Sequence, residues 1–140
     1  MKKRVLVLVS VVLVLAFAST AFAADVTVRI TGLESGGEVR AALFASAADY
    51  DADRRAGVVA AAAIGDVVEL VFSDVSPGTY GISVFLDMNA NEELDKNFLR
   101  IPKERYGFSN NARGRFGPPD FEAFSFEVTD ESLTIEIELR

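Results

Sequence analysis

Residues 124 to 139 read FSFEVTDESLTIEIEL, and this stretch contains the two clearest strand patterns in the chain. Apolar residues occupy every second position, first at Phe124, Phe126 and Val128 and then from Leu133 to Leu139. Successive side chains of a β-strand point to opposite faces, so this alternation predicts strands with one buried and one solvated face. The stretch therefore indicates a β-rich fold.

The same period recurs upstream in three further regions, at residues 26–30, 39–43 and 80–86, whereas the apolar run at 67–72 does not alternate cleanly. A short apolar run at 58–64 precedes Gly65-Asp66, which predicts a hairpin with 67–72. About seven short strands and no long amphipathic helix predict an antiparallel β-sandwich, transthyretin-like or immunoglobulin-like. Residues 46–55 are too short and polar to form more than a helical turn.

The N-terminus has the three parts of a secretory signal peptide. Met1-Lys2-Lys3-Arg4 is basic, an apolar run extends from Val5 to Ala18, and Ala21-Phe22-Ala23 resembles a cleavage site. About 14 apolar residues fall short of the roughly 20 that span a bilayer. We expect cleavage after Ala23, a single domain at 24–140 with no integral membrane segment, and a periplasmic or secreted protein.

The composition narrows the function classes. The chain contains no histidine and no cysteine, which removes the usual zinc ligands and the thiol nucleophile. Without Lys2, Lys3 and Arg4, 11 of the 14 basic residues remain against 21 acidic ones, a net charge of −10. This acidic balance argues against nucleic acid or an anionic membrane as a partner.

Residues 87–120 form a long loop of 34 residues without a strand pattern. Loops longer than about 12 to 15 residues are usually functional or disordered. Six apolar side chains predict an ordered loop that packs on the sandwich: Phe98, Leu99, Ile101, Tyr106, Phe108 and Phe116.

The loop also concentrates positive charge. Six of the 11 remaining basic residues lie between positions 96 and 118, where Glu104 is the only acid. Arginine can hold carboxylate or phosphate groups through two hydrogen bonds, although these arginines could equally pair with acids of the domain itself. The candidate contacts to a peptide, a glycan or an envelope protein are Arg105, Tyr106, Phe108, Asn110, Asn111, Arg113, Arg115 and Phe116.

Oxygen-bearing side chains at Asp87, Asn89, Asn91 and Asp95 match the front of a calcium-binding loop. Glu92 stands where a helix-loop-helix calcium site needs glycine, so that motif is excluded. A looser calcium-bound turn is one interpretation, and no other cofactor is expected. The alternative is a polar turn in which Asp87 and Asn89 cap backbone amides.

Three blocks of the sequence carry a family resemblance: FSDVSPGTY at 72–80, VFLDMNAN at 84–91 and IPKERYGFSNN at 101–111. Together they resemble the bacterial secreted family catalogued as domain of unknown function 2141. The resemblance covers nearly all of 24–140 and implies an extracytoplasmic β-sandwich without an assigned activity. The family often has histidine and glycine where this chain has Leu86 and Glu92.

Three classes of function remain after this reasoning. The favoured hypothesis is a non-enzymatic binding or interaction module that uses the 87–120 loop, since tyrosine, phenylalanine and arginine concentrate binding energy. The first alternative is a structural scaffold in which the loop plugs the sandwich, with calcium as an added stabiliser. A hydrolase that uses paired carboxylates is the least favoured, because no nucleophile motif occurs and no catalytic residue is assigned.

Overall fold

The computed structural model describes residues 22–140, so the predicted signal sequence before Phe22 lies outside the described residues. Within these described residues there are eight strands: β1 (Ala24–Thr31), β2 (Glu38–Phe44), β3 (Gly57–Ala62), β4 (Val68–Val75), β5 (Gly78–Asp87), β6 (Tyr106–Phe108), β7 (Ser125–Val128) and β8 (Leu133–Glu138). The helices are α1 (Ala47–Asp51), α2 (Phe121–Phe124) and a 3₁₀ turn (Ser109–Asn111). None of the helices in this part of the chain is long and apolar enough to span a membrane.

The strands form two sheets, which confirms the predicted sandwich. One sheet has the order β4-β1-β8, and the other has the order β3-β2-β5-β6 with β7 also paired to β5. All pairs are antiparallel except β1 with β8, which run parallel. The prediction of an entirely antiparallel fold is therefore wrong at this one pair.

The main core lies between the two sheets. Val26, Val28 and Ile30 of β1 are fully buried and face the apolar sides of β2 and β5. The predicted inward face of β5, with Ile82, Val84 and Leu86, is confirmed. Burial of each such side chain stabilises the folded state by about 1.5 to 3 kcal/mol relative to exposure.

A second apolar cluster lies on the outer face of the five-stranded sheet. Phe44 and Phe108 project from the sheet, and Phe121 and Phe124 of α2 cover them. Tyr50 of α1 completes the cluster, with its ring edge-on to Phe124 at a centroid distance of 4.9 Å. Because this cluster buries part of the long loop, it determines where the loop can present a site.

Three local predictions are wrong. Phe124 ends a short helix and does not begin a strand, since the strand starts at Ser125. The apolar runs on either side of Gly65-Asp66 are not a hairpin, because β3 and β4 belong to different sheets. The 87–120 loop also contains a strand, β6, which pairs with β5.

Candidate functional site

Two acidic side chains brace the beginning of the long loop. Asp87 is buried at the end of β5, and its carboxylate accepts hydrogen bonds from the backbone amides of Asn91 at 3.3 Å and Glu92 at 2.8 Å. Glu104, which is 9% exposed, accepts from the amides of Met88 at 2.9 Å and Asp95 at 3.0 Å. The loop is therefore closed on itself by carboxylate-to-amide bonds, which are stronger than neutral ones.

The predicted calcium residues form a hydrogen-bonded turn. The side-chain amides of Asn89 and Asn91 donate to the two oxygens of Asp95, at 2.6 and 2.9 Å. Asn89 also accepts from the amide of Asn91, as the polar-turn interpretation describes. Among the described residues no group of three or more acidic side chains is arranged to hold a metal ion. Calcium stays a prediction, and melting temperatures in calcium and in a chelator test it, because a ligand of the folded state raises the melting temperature.

Residues 96–103 form a tight turn, here called the apolar tip. Lys96 and Pro102 form a β-bridge at its base, and the Asn97 side chain accepts from the amides of Leu99 and Ile101. Arg100 lies in the left-handed region at φ 62°, which a residue other than glycine adopts only when its surroundings hold it there.

The tip exposes its apolar side chains. Phe98 is 92% exposed, Leu99 64% and Ile101 54%, and Phe116 further along the loop is 101% exposed. The prediction that these four side chains pack on the sandwich is wrong. Only Phe108 is buried, and Tyr106 is half-buried. The structural plug hypothesis, in which Tyr106, Phe108 and Phe116 point inward, thus describes the first two but not Phe116.

The segment Ser109-Asn110-Asn111 connects three parts of the fold. The Ser109 hydroxyl is fully buried, accepts from the Ile82 amide at 3.0 Å and donates to the Phe124 carbonyl. Asn110 donates to the Ser125 carbonyl at 2.9 Å, and Asn111 accepts from the amide of Glu138. Both asparagines have positive φ, which asparagine tolerates well. The side-chain amides expected to contact a ligand are thus bonded within the protein.

The predicted binding arginines separate into two groups. Arg105 donates to Glu34 at 2.6 Å and to the carbonyl of Gly32, so it fastens the loop to the connection between β1 and β2. Arg113 and Arg115 are exposed and line a shallow depression together with Phe116. No salt bridge within 22–140 involves either of these two. The structure therefore does not bring the eight candidate contacts together.

A cleft of about 420 Å³ lies between the long loop and the outer face of the five-stranded sheet, and we call it the sheet cleft. Ligand sites in proteins commonly have volumes of about 300 to 1,000 Å³. Its floor comes from β2, β5 and β6, and its walls come from α1, residues 92–94, Lys96 and Pro118. Of the predicted contacts, it contains Tyr106 and Phe108.

The charged groups of the sheet cleft are balanced. The Arg40 guanidinium is largely buried, bonded to Glu38 and 3.5 Å from Glu92. Arg55 donates two hydrogen bonds to Asp53, at 3.0 and 2.9 Å. Burial raises the pKa of Tyr50, with Asp51 and Asp120 adding to the effect, so this phenol stays protonated at neutral pH. Paired charges around aromatic rings suit a polar ligand with no strong net charge.

Sequence reasoning missed Arg40, Tyr50 and Glu104 as parts of this region. Arg40 lies on the polar face of a strand, where a charged residue is ordinary. Glu104 is the lone acid in a basic segment, and that isolation is the one sequence signal that could have identified it. The contacts of Arg40 and Tyr50 depend on how the sheet, α1 and the loop come together.

A comparison with family models matches residues 28–136 to the family described as an uncharacterized protein conserved in bacteria, domain of unknown function 2141. No match was found among curated proteins or among solved structures. The matched range covers most of both sheets and the whole long loop, and it confirms the resemblance of the three sequence blocks. The chain belongs to the bacterial family of domain of unknown function 2141.

Proposed function

We propose that this chain is a non-enzymatic binding module, periplasmic or secreted, whose ligand site is the sheet cleft. The observation that carries the proposal is the cleft itself. It is a concave site of about 420 Å³, and it joins Tyr106 and Phe108 of the long loop to the sheet. A volume of this size fits a short segment of a peptide or glycan, and it is too small for a folded partner.

Two features support binding over catalysis. Both carboxylate oxygens of Asp87 accept backbone amides, so this acid has a structural role. Of the three acids that line the cleft, Asp53 and Glu92 are in ion pairs with Arg55 and Arg40, which leaves one, Glu93, in none of the ion pairs of the described residues. A glycoside hydrolase needs two carboxyl groups facing each other across the substrate, one of them free to give a proton.

The test introduces a large side chain that fills the cleft. Val58 and Ala62 project from the same face of β3, and only Val58 lines the cleft. We expect wild type and Ala62→Trp to bind a ligand found by screening short peptides and N-acetylglucosamine oligomers by protein NMR. We expect Val58→Trp to lose that binding.

The residues whose NMR resonances shift on ligand addition show where the ligand binds. Shifts centred on Tyr106, Phe108 and Ser83 would support the proposed site, because all three line the cleft. If the Val58→Trp protein bound the screened ligand as well as wild type did, the cleft would not be the site. If no compound of either class shifted these resonances, the proposal would fail for peptides and glycans alike.

A further inference from the structure

We propose that the apolar tip is a peripheral membrane anchor that inserts into the interfacial region of a bilayer containing anionic lipids. Of the tip residues, only Lys96 also lines the sheet cleft, and the inference does not use the cleft. It rests on the exposure, rigidity and local charge of residues 96–103.

The exposure of the tip is the first argument. Phe98, Leu99 and Ile101 are all exposed, and they lie within four consecutive positions of one turn. Isolated exposed apolar residues are ordinary on protein surfaces, but a contiguous group generally marks an interaction site. A phenylalanine that contacts almost nothing in its own protein protrudes from the surface, so this group is a convex tip and not a groove.

The rigidity of the turn is the second argument. The Asn97 side chain accepts from the amides of Leu99 and Ile101, and the Asn97 amide donates to the Ile101 carbonyl at 2.9 Å. At the base, the Lys103 amide donates to the Asp95 carbonyl at 2.8 Å, and Glu104 closes the loop beneath it. A turn that is already ordered loses little conformational entropy when its side chains are buried elsewhere.

The charge of the tip is the third argument, and it indicates which kind of surface the tip binds. Within residues 96–103 there are three cations, Lys96, Arg100 and Lys103, and no acid. All three are exposed, and no salt bridge in the described part of the chain involves them. The nearest acids in sequence, Asp95 and Glu104, both accept hydrogen bonds from the loop itself, and Glu104 is also buried. The tip therefore presents only positive charge around its apolar side chains.

The overall acidity predicted from composition argues against an anionic membrane, but its effect depends on distance. At physiological salt a charge is screened beyond about 8 to 10 Å. A tip that protrudes from the domain meets the lipid surface first, so its own three cations dominate the interaction. Each lysine or arginine near an anionic surface increases binding about fivefold.

The small size of the tip favours lipid over a protein partner. A specific protein interface usually buries at least about 1,000 Å² in total. Three apolar side chains on one turn expose only a fraction of that area. Interfacial membrane binding has no such threshold, because it grows with the apolar area inserted and with the attraction to anionic lipids.

The test exploits the absence of tryptophan from the chain. Phe98→Trp places a single fluorophore of this type at the tip, and Phe116→Trp is the matched control at a fully exposed phenylalanine outside the tip. The probes are phosphatidylcholine vesicles with and without about 30% phosphatidylglycerol. We expect a blue shift of the Phe98→Trp emission with the anionic vesicles and none with Phe116→Trp.

Vesicle sedimentation of the tryptophan-free protein provides the second measurement. We expect Phe98→Ser/Leu99→Ser to lower the affinity for anionic vesicles at least 10-fold, and Phe116→Ser to leave it unchanged. Raising the salt to 0.5 M should weaken wild-type binding as well. These side chains are exposed, so circular dichroism should show all variants folded.

Three results would overturn the anchor: no wild-type binding to anionic vesicles, equal binding by the Phe98→Ser/Leu99→Ser protein, or equal binding to neutral vesicles. A photo-crosslinker at position 98 that captured a discrete envelope protein in the absence of vesicle binding would assign the tip to a protein partner instead. The Val58→Trp protein should bind vesicles normally. A failure of the membrane-anchor proposal can thereby be distinguished from a failure of the proposed ligand site in the sheet cleft.

Discussion

Substitution of Ser109 by alanine should lower the stability of the protein more than any exposed serine substitution. The Ser109 side chain is fully buried, accepts from the Ile82 amide at 3.0 Å and donates to the Phe124 carbonyl. Ser109→Ala leaves both backbone groups without these partners in the interior. Each unsatisfied buried group costs about 1 to 3 kcal/mol.

We therefore expect the free energy of unfolding to fall by about 2 to 6 kcal/mol for the two groups together, out of a typical total of about 5 to 15 kcal/mol. The melting temperature of a domain of this size should fall by about 8 to 24 °C. Urea denaturation followed by circular dichroism measures the difference directly. Ser73→Ala is the matched control, because Ser73 is exposed on β4 and should change stability by less than about 0.5 kcal/mol. A Ser109→Ala protein within about 0.5 kcal/mol of wild type would refute the reasoning.

Three further changes have defined outcomes. Glu104→Gln keeps the shape of the side chain but replaces one accepting oxygen with a donor. Hydrogen exchange should therefore accelerate at one of the two backbone amides that donate to Glu104, those of Met88 and Asp95. Unchanged protection of both amides would contradict this role. Gly81→Ala would place a Cβ closer to the ring of Phe124 than van der Waals contact allows, so we expect the free energy of unfolding in urea to fall by about 1 to 3 kcal/mol, and a neutral result would contradict the packing. The Ser46 hydroxyl lowers the pKa of Asp49, with a smaller contribution from Arg54, so the stabilisation is present above the unfolded pKa and is lost as pH falls through the folded pKa. Ser46→Ala should therefore raise the pKa of Asp49 towards its ordinary value in a carboxyl NMR titration, and an unchanged pKa would show that Ser46 is not the main cause.

Much of the fold could be predicted because strand alternation is a local property. The alternation in residues 133–139 and in 80–86 predicted which side chains face the core, and both predictions are confirmed for the buried Ile137, Leu139, Ile82 and Val84. The connection between β3 and β4 was predicted wrongly for a physical reason. A short polar turn looks the same whether it joins neighbours in one sheet or crosses to the opposite sheet, because sheet membership depends on long-range pairing.

The candidate site was less predictable because it depends on burial. Composition correctly indicated an ordered loop, but it could not distinguish Phe108, which is buried, from Phe116, which is fully exposed. Both are phenylalanines in a glycine-rich basic segment. The pairing of β6 with β5 determines that the Phe108 ring lies beneath α2, and that pairing involves residues more than 20 positions apart.

The sequence by itself determined the β-sandwich class, the family and the location of the long loop, because periodicity and motif spacing are read along the chain. The tertiary structure alone decided which side chains of the loop are buried, which are exposed and which groups they bond. It bonded Asn110, Asn111 and Arg105 to other parts of the protein, left Phe98 exposed on a rigid tip, and placed Tyr106 in a cleft with the sheet. The physical reason is that exposure and hydrogen-bond partners depend on elements that are distant in sequence and meet only when the two sheets and the outer helices have packed.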